Sequence, residues 1–313
     1  MNETRGITVK PSRRDFIKTG SAAVVCGSVL MQSRELRAKT INLPLGLQLY
    51  SVRDLLPKDY QGTLKAVGSL GFREVESAGY FNHSASEVKQ AMDNARLKLV
   101  SAHYPMDSLH KELDQIFTFN KEMGVGHIIC SSPRLKDPSR YKTMKPADRD
   151  HAFTLEDWRW NAEQLNVLGE KATAAGLKFG YHNHFTEFYV TDGVVPYDEL
   201  MRLTDPSKVT MEMDCGWVVV GGGNPVEFLR KYPNRITMLH VKDFKSKDAS
   251  ASPKSEPVVA ELGRGSIDYR PIFEEAAKSG HLKHIFAEQE AFTVPPMESL
   301  KIDADYLRKL GLS

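Results

Sequence analysis

Short apolar runs alternate with longer amphipathic stretches along most of this 313-residue chain. Each apolar run is long enough for one buried strand, and the stretch after it has helical periodicity. This alternation is typical of a parallel sheet with crossover helices. Strands are predicted at residues 45–49, 74–76, 98–102, 127–130, 178–182, 210–213, 237–241 and 284–288. Helices are predicted between them at residues 60–69, 86–94, 109–123, 155–175, 196–204, 225–232 and 269–278.

Glycines mark the ends of several of these helices, because a glycine after the last helical turn tolerates a left-handed backbone. They are Gly71, Gly124, Gly176 and Gly280. Eight strands with repeated helix–glycine–strand units predict a single (β/α)₈ TIM barrel over residues 39–313, close to the roughly 250 residues usual for that fold. A doubly wound open sheet is the alternative. It is disfavoured because no glycine-rich phosphate loop follows the first strand.

The amino terminus is predicted to be a targeting segment. Arg13 and Arg14 precede an uncharged, mildly apolar run at residues 19–31, which is shorter than the roughly 20 residues needed to span a bilayer. The pattern resembles a twin-arginine export signal. Residues 1–38 are therefore predicted to be a signal peptide. The expected location of the protein is the periplasm or another exported compartment, without a stable membrane span.

Composition and charge narrow the class of protein. A hydrophobic content of 41% and a charged content of 26% are those of an ordinary globular protein and exclude a multi-span membrane protein or a disordered chain. Lys plus Arg number 42 against 40 Asp plus Glu, and this near balance argues against a nucleic-acid-binding protein. Three cysteines are too few for a disulfide scaffold.

Polar side chains stand at the carboxyl ends of almost all the predicted strands. In a (β/α)₈ barrel these ends converge on one mouth, where the chemistry is done. Buried carboxylates and lysines are rare unless they are paired or bind a metal. The carboxylate-plus-imidazole set suits one divalent ion, Mn²⁺, Mg²⁺, Co²⁺ or Zn²⁺. The strand-end residues are Gln48, Glu76, His103, His182, His184, Asp214, His240, Lys242 and Glu288.

Four motifs resemble those of the sugar phosphate isomerase/epimerase family, which has the xylose-isomerase-like barrel fold. They are the run at 46–54, Asp-Cys-Gly-Trp at 214–217, His-Val-Lys-Asp at 240–243 and Glu-Gln-Glu at 288–290. The resemblance covers essentially all of the chain after the signal. It implies one divalent metal held by Glu, Asp, His and Glu from strands five to eight. Asp214, His240 and Glu288 match the last three of these ligands.

The first ligand is where the sequence departs from that family. The family commonly has Glu-Asn-His at the end of strand five, whereas this chain has His182, Asn183 and His184. Glu187, a few residues further on, is the predicted fourth ligand because a carboxylate would keep the charge of the site. His182 is the alternative ligand.

The metal site implies abstraction of a proton α to a carbonyl, with the cation polarising the substrate. Residues predicted to carry the catalysis are Glu288 as proton carrier, His184 opposite it, His103, and Lys242 beside the developing oxyanion. Residues predicted to bind the sugar are Gln48, Glu76, His182 and Trp217. Because phosphorylated sugars are scarce outside the cytoplasm, the expected small-molecule substrate is a non-phosphorylated sugar or keto-sugar.

The first step alone does not determine the product. The predicted activity is isomerisation or epimerisation. The alternative is a dehydratase or lyase acting on keto-sugars or 3-keto-glycosides. A non-catalytic sugar-binding protein is a further alternative. The same superfamily also contains an abasic-site nuclease, which the charge balance and the export signal disfavour.

Overall fold

Eight parallel strands close into a barrel, as the alternating pattern predicted. The structure, a computed structural model, describes residues 41–245 and 257–313. Neighbouring strands pair in chain order, and the first strand closes the barrel by pairing with the eighth, with Gly46 opposite Phe286. In chain order the eight strands are Gly46–Gln48, Glu74–Ser77, Lys98–Tyr104, His127–Cys130, Lys178–His182, Thr210–Asp214, Ile236–Val241 and His284–Ala287.

Helices surround the barrel and cover the outer face of its sheet. The α-helices are Tyr60–Ser69, Ala85–Ala95, Met106–Met123, Arg140–Thr143, Leu155–Ala174, Pro196–Leu203, Cys215–Val220, Pro225–Lys231, Tyr269–Ser279 and Pro296–Lys309. Short 3₁₀ turns lie at Leu49–Val52, Pro146–His151 and Thr186–Phe188. A two-stranded antiparallel ribbon, Asp243–Phe244 with Val259–Ala260, follows the seventh strand. In the part of the chain described here, no helix combines the length and the apolar character that crossing a membrane requires.

The predicted single barrel is confirmed, and all eight predicted strands are present with ends that differ by one or two residues. Three helices were not predicted, and one of them is the single turn Arg140–Thr143. Cys215–Val220 is short, and it begins because the Asp214 carboxylate accepts a hydrogen bond from Trp217 N at 2.9 Å. The last helix, Pro296–Lys309, packs its apolar face against the barrel. The predicted signal, residues 1–38, lies outside the described residues.

Local sequence signals explain where several helices end. Gly124 and Gly280 adopt positive φ angles of 79° and 68° at the carboxyl ends of their helices, a conformation that glycine reaches without steric cost. At the other end of a helix, the Thr154 side chain and Asp157 form a capping box that begins Leu155–Ala174. These ends place each following strand in register for the barrel.

An apolar layer fills the barrel below its polar mouth. It consists of Val100, Ile129, Met238 and Phe286, each no more than 5% exposed. Gly46 is required beside this layer because a Cβ there would lie 2.3 Å from Ile285 O and 2.8 Å from a Phe286 ring carbon. Since side chains on one strand face recur every second residue, His240 lies on the same face as Met238, one step nearer the mouth. The charged residues above this layer are therefore shielded from water on that side.

A buried carboxyl group in the last helix makes the stability of the protein depend on pH. Asp303 accepts a hydrogen bond from Leu262 N at 2.7 Å. Burial, with Glu261 and Asp243 nearby, raises its pKa from 3.8 to about 7. Between these two values the unfolded chain has released the proton that the folded chain still holds, so the free energy of unfolding must fall as pH rises through this window. The free energy of unfolding falls by up to ~4 kcal/mol, since a difference of one pKa unit corresponds to about 1.4 kcal/mol.

We therefore expect Asp303→Asn to be more stable than the parent protein at pH 8 and to lose most of the difference at pH 4. Urea denaturation at the two pH values measures this change. Asp305→Asn on the same helix is the matched control, since Asp305 is exposed and pairs with Lys301 and Arg308. A stability of Asp303→Asn that falls below the parent at both pH values would contradict the prediction.

Candidate metal centre

The carboxyl ends of the barrel strands bring charged side chains together at one mouth. Each of these side chains is buried or nearly so, although an isolated buried charge is strongly unfavourable. The arrangement therefore depends on mutual compensation or on a bound cation. The residues are Gln48, Glu76, His103, His182, Glu212, Asp214, His240, Lys242 and Glu288.

Besides an overlapping group of His103, His182, Glu212 and His240, four of these residues place ligand atoms within 4.8 Å of one another: His182, Asp214, His240 and Glu288. His182 Nε2 lies 3.9 Å from Asp214 Oδ2, and His240 Nδ1 lies 2.9 Å from Glu288 Oε2. We call these four residues the ligand cluster. It contains two of the three strand-end carboxylates and both imidazoles of strands five and seven, so it spans the last four strands of the barrel.

The other ring nitrogen of each imidazole in the ligand cluster contacts a second set of carboxylates. His182 Nδ1 lies 3.1 Å from Glu212 Oε2. His240 Nε2 lies 2.8 Å from Glu76 Oε1 and 3.3 Å from Glu212 Oε2. Metal-binding histidines commonly donate their other ring N–H to a carboxylate, which fixes the ring orientation and the tautomer. Glu76 and Glu212 are in position to do this for the two imidazoles.

Lys242 places a buried ammonium group between the carboxylates. Its Nζ lies 2.9 Å from Asp214 Oδ2 and 2.8 Å from Glu288 Oε2, and it also contacts Glu290. Burial alone would lower the pKa of Lys242, but Asp214, Glu288 and Glu290 outweigh it and raise that pKa. The ammonium group also lies 5.0 Å from the centre of the Trp217 ring.

Asp243, the possible partner of Lys242 in a simple salt bridge, is engaged elsewhere. Its carboxylate accepts hydrogen bonds from the backbone N–H groups of Gly263, Gly265 and Ile267 at 3.0–3.1 Å. Asp243 therefore organises the loop after the two-stranded ribbon. Lys242 is left to face the mouth, the position predicted for it from the sequence.

The buried charges shift the pKa values of the ligand cluster in different directions. Burial raises the pKa of Asp214 to about 6, against the opposing effect of Lys242. Burial also lowers the pKa of His182, where the charge of His240 adds to the effect. For His240 the carboxylates Glu212, Glu288 and Glu76 outweigh burial and raise the pKa. Metal binding needs a neutral imidazole, and the lowered pKa of His182 keeps its ring neutral beside Glu212 and Asp214.

The donor set fits a divalent cation. Asp214 Oδ2 is buried and accepts no well-formed hydrogen bond among the described residues, although it faces the Lys242 ammonium group. Glu288 Oε2 converges on the same ammonium group, so these two oxygens already share one positive charge. Two imidazoles and two carboxylates are ligand types that bind Zn²⁺, Mn²⁺ and Co²⁺ well.

A comparison with known proteins places this site in a family. The profile of the family described as xylose isomerase-like TIM barrel matches residues 64–310. The chain belongs to this family.

Individual relatives of this xylose isomerase-like barrel carry the names of sugar-modifying enzymes. An inosose dehydratase from Clostridium beijerinckii is 28% identical over 270 residues, covering 80% of this chain and 89% of the relative. A solved sugar phosphate isomerase/epimerase from Parabacteroides distasonis is 26% identical with a TM-score of 0.68, covering 85% of this chain and 97% of that one. The IOLI protein, solved with a bound zinc atom, shares the fold at 12% identity and a TM-score of 0.66, over 86% of this chain and 98% of that one.

Glu187, the predicted fourth ligand, does not lie in the ligand cluster of this xylose isomerase-like barrel. Its fully buried carboxylate accepts hydrogen bonds from Tyr181 OH at 2.6 Å, His184 N at 3.0 Å and Thr186 Oγ1 at 2.8 Å. Tyr181 and His182 are adjacent in the strand, so their side chains point to opposite faces. Glu187 is therefore held on the outer face of strand five, while the alternative residue, His182, faces the mouth.

The other predicted site residues are divided between the cluster and its surroundings. His103 Nε2 contacts Glu212 at 2.6 Å and Glu76 at 2.7 Å, so it belongs to the carboxylate shell behind the ligands. Gln48 donates to Glu76 at 2.7 Å, and both side chains are fully buried. The structure thus places Gln48 and Glu76 behind the imidazoles and not on the surface predicted to bind a sugar. Their burial is compatible with orienting His240.

His184 and Trp217 lie to one side of the ligand cluster. The His184 ring packs edge-on to His182 with centroids 5.1 Å apart, and it lies 6.1 Å from the Trp217 ring. Burial lowers the pKa of His184. Trp217 is 8% exposed, and its Nε1 has no hydrogen-bond partner within the described ranges. An unpaired buried N–H is costly, so a ligand oxygen would satisfy it.

Three residues of the site were not singled out from the sequence. Glu212 precedes Asp214 by two positions in strand six, and the two-residue period of a strand would have placed both carboxylates on one face. Asn183 fixes the Asp214 backbone by accepting from Asp214 N at 3.1 Å and donating to Asp214 O at 3.3 Å. Glu290 reaches Lys242 from beyond the eighth strand. Its position depends on a loop whose path no sequence period predicts.

Because His182 lies in the ligand cluster and Glu187 lies outside it, the two residues should differ in what their replacement does. We expect His182→Ala to weaken metal binding by about 10-fold or more, since a ligand should matter at least as much as an outer-shell partner. We expect Glu187→Gln to keep the metal and to lose stability, because Tyr181 OH and His184 N lose a charged acceptor. Calorimetric metal titration and thermal melts of both variants measure these effects. Metal loss confined to Glu187→Gln would restore the ligand role to Glu187.

Proposed function

We propose that this protein is a divalent-metal-dependent enzyme that removes a proton α to the carbonyl of a non-phosphorylated keto-sugar and then eliminates a β-hydroxyl group as water. The observation that carries the proposal is the convergence of His182, Asp214, His240 and Glu288 on one point at the barrel mouth, with Lys242 beside them. The names of the relatives support a sugar as substrate. The inosose dehydratases support elimination as the outcome.

The ligand cluster would hold the metal through His182 Nε2, Asp214 Oδ2, His240 Nδ1 and Glu288 Oε2. A divalent cation in such a site polarises a carbonyl and stabilises negative charge that develops on the substrate oxygen. Mn²⁺, Mg²⁺, Co²⁺ and Zn²⁺ are the candidates, and zinc is the metal named for the IOLI protein. Glu76 and Glu212 would keep the two imidazoles in the tautomer that presents a lone pair to the cluster.

The proton transfers fall to the residues around the cluster. Glu288 is the proposed proton carrier, because its carboxylate is at the end of the last strand and only slightly exposed to water. The C–H bond α to the carbonyl breaks toward this carboxylate, and the C–O bond to the β-hydroxyl breaks on the other side of the new double bond. The departing oxygen needs a proton to leave as water. Lys242 or His184 would supply it, and Lys242 would also stabilise the oxyanion.

Isomerisation or epimerisation is the second candidate, and it was the first choice from the sequence. The Parabacteroides distasonis structure supports it, because that protein is named a sugar phosphate isomerase/epimerase and is 26% identical. In that reaction the proton returns to the adjacent carbon or to the other face of the same carbon. The elimination is preferred here because the inosose dehydratases match at 28% identity over 80% of the chain.

A substrate without phosphate is consistent with the charges at the mouth. Within the described ranges, the cation inside the charged cluster is Lys242, and three carboxylates already surround it. A phosphate there would compete with these carboxylates for the Lys242 ammonium group. The proposed export of the protein by the signal at residues 1–38 favours the same class of substrate.

Incubation of the metal-loaded protein with a panel of keto-sugars in heavy water tests this function. We expect solvent deuterium to enter the recovered substrate or the product, together with loss of one water from the sugar seen by mass spectrometry. Deuterium exchange with no change in composition would assign isomerisation or epimerisation. Binding of sugars with no exchange at any carbon would overturn the proposal and leave a sugar-binding protein.

A further inference from the structure

A cavity of about 520 Å³ opens beside the ligand cluster and is not used by the chemistry described above. It lies under the long connection between the fourth strand and the helix Leu155–Ala174, which contains Arg140–Thr143 and Pro146–His151. Loops at this end of a barrel commonly determine substrate choice. The lining residues are Ser132, Pro133, Tyr141, Arg149, Asp150, Phe153, His184, Phe185 and Thr186.

Aromatic rings connect this cavity to the reacting centre. His184 lines the cavity and packs on His182 of the ligand cluster. Phe185 also lines it and lies 5.3 Å from the Trp217 ring, over which the Lys242 ammonium group is placed at 5.0 Å. His184 therefore links the ligand cluster to the cavity, and Phe185 links the cavity to Trp217.

The lining of the cavity is suited to an uncharged ring. Phe153, Phe185 and Tyr141 offer apolar faces, and such faces bind sugar or aryl rings. Arg149 and Asp150 both line the cavity, so their opposite charges largely cancel and do not favour a phosphate or another anion. Cavities of ~300–1,000 Å³ are large enough for a small organic ligand, and the cavity here falls in that range.

We infer that this cavity is a subsite for a second, uncharged ring joined by a glycosidic bond to the keto-sugar at the ligand cluster. The inference rests on the proposed function and narrows its substrate class from free keto-sugars to glycosides. The unpaired Nε1 of Trp217 is a donor for an oxygen of such a substrate. A glycoside carries its carbonyl on the ring, since the glycosidic bond occupies the anomeric carbon. The substrate must therefore come from an oxidation of a ring hydroxyl.

Binding of two unreactive glycosides tests the subsite apart from the reaction. Phenyl β-glucoside and methyl β-glucoside share the sugar, but only the first has a second ring. The ratio of their dissociation constants therefore reports how much binding of that ring in the cavity contributes to affinity. Calorimetry on the metal-loaded protein measures both constants. We expect the phenyl glucoside to bind about tenfold more tightly, as burial of a ring in a partly apolar pocket predicts. Equal affinities would overturn the inference.

Two cavity variants and one control test whether the difference in affinity arises in the cavity. Phe153→Ala removes an apolar face, and Ser132→Phe fills the cavity without removing the stacking of Phe153 on Trp158. In both we expect the affinity ratio to fall to about one. Arg230→Ala is the control, since Arg230 pairs with Glu275 on the outer surface, and it should keep the tenfold ratio. A ratio that survives in both cavity variants would place the second ring elsewhere.

The heavy-water experiment separates this inference from the proposed function. Solvent exchange on keto-sugars without any preference for the phenyl glucoside would overturn the subsite alone. A tenfold preference that the cavity variants abolish, in a protein that exchanges no deuterium, would overturn the reaction and retain the subsite.

Discussion

Replacing Asp214 by asparagine is expected to abolish stoichiometric metal binding. Asp214 Oδ2 lies 3.9 Å from His182 Nε2, within the ligand cluster, and 2.9 Å from Lys242 Nζ. The amide loses the negative charge but can still accept the hydrogen bond from Trp217 N that begins the helix Cys215–Val220. We expect the metal affinity to fall by more than about 100-fold, the upper end of what loss of an outer-shell partner costs.

Metal content after dialysis, measured by mass spectrometry, checks this expectation. Asp303→Asn is the matched control, because Asp303 is also a buried aspartate but lies outside the ligand cluster. The control should keep one metal ion per chain. If Asp214→Asn also kept one ion per chain while remaining folded, the proposed ligand set would be refuted.

The barrel itself could be predicted because its signals are local and repeated. Each strand is a short apolar run, and glycines such as Gly124 and Gly280 end the preceding helices with a left-handed backbone. A closed barrel was preferred to a doubly wound open sheet because no glycine-rich phosphate loop follows the first strand. The last helix, Pro296–Lys309, was missed because it follows the final strand and no further strand marks its end.

The centre was predictable wherever a ligand stands at the end of a strand. Asp214, His240 and Glu288 meet because parallel strands present their carboxyl ends at one mouth. The position of Glu187 was not predictable in this way. It depends on a three-residue turn, Thr186–Phe188, that directs its carboxylate to Tyr181 OH on the outer face of the strand. The path of a loop therefore determines which of the two candidate ligands, His182 or Glu187, lies in the ligand cluster.

The shell behind the ligands depends on contacts between distant parts of the sequence. Glu76 and His240 are separated by 164 positions and still meet at 2.8 Å. A single oxygen, Glu212 Oε2, contacts the rings of His103, His182 and His240. The members of such a buried network strengthen one another, so they act as a unit. It is visible only after the strands have been placed side by side.

Glu288→Gln is expected to remove the proton-transfer step, since an amide cannot accept a proton at this position. Solvent deuterium exchange into the substrate should fall by about 10²–10⁴-fold, the usual contribution of a positioned acid or base. Proton NMR of a keto-sugar in heavy water, at a metal concentration high enough to saturate the variant, measures the rate apart from any weaker metal binding.

Glu290→Gln separates the role of Glu288 from a general loss of charge beside Lys242. Glu290 also contacts Lys242 Nζ, but it lies outside the ligand cluster and is partly exposed. This substitution removes one negative charge from beside the ammonium group, as Glu288→Gln does, and leaves the carboxylates of Asp214 and Glu288 in place. We expect Glu290→Gln to keep its metal and most of its exchange rate. Equal losses of exchange in the two variants would indicate that the charge around Lys242, and not the carboxylate of Glu288, controls the transfer of the proton.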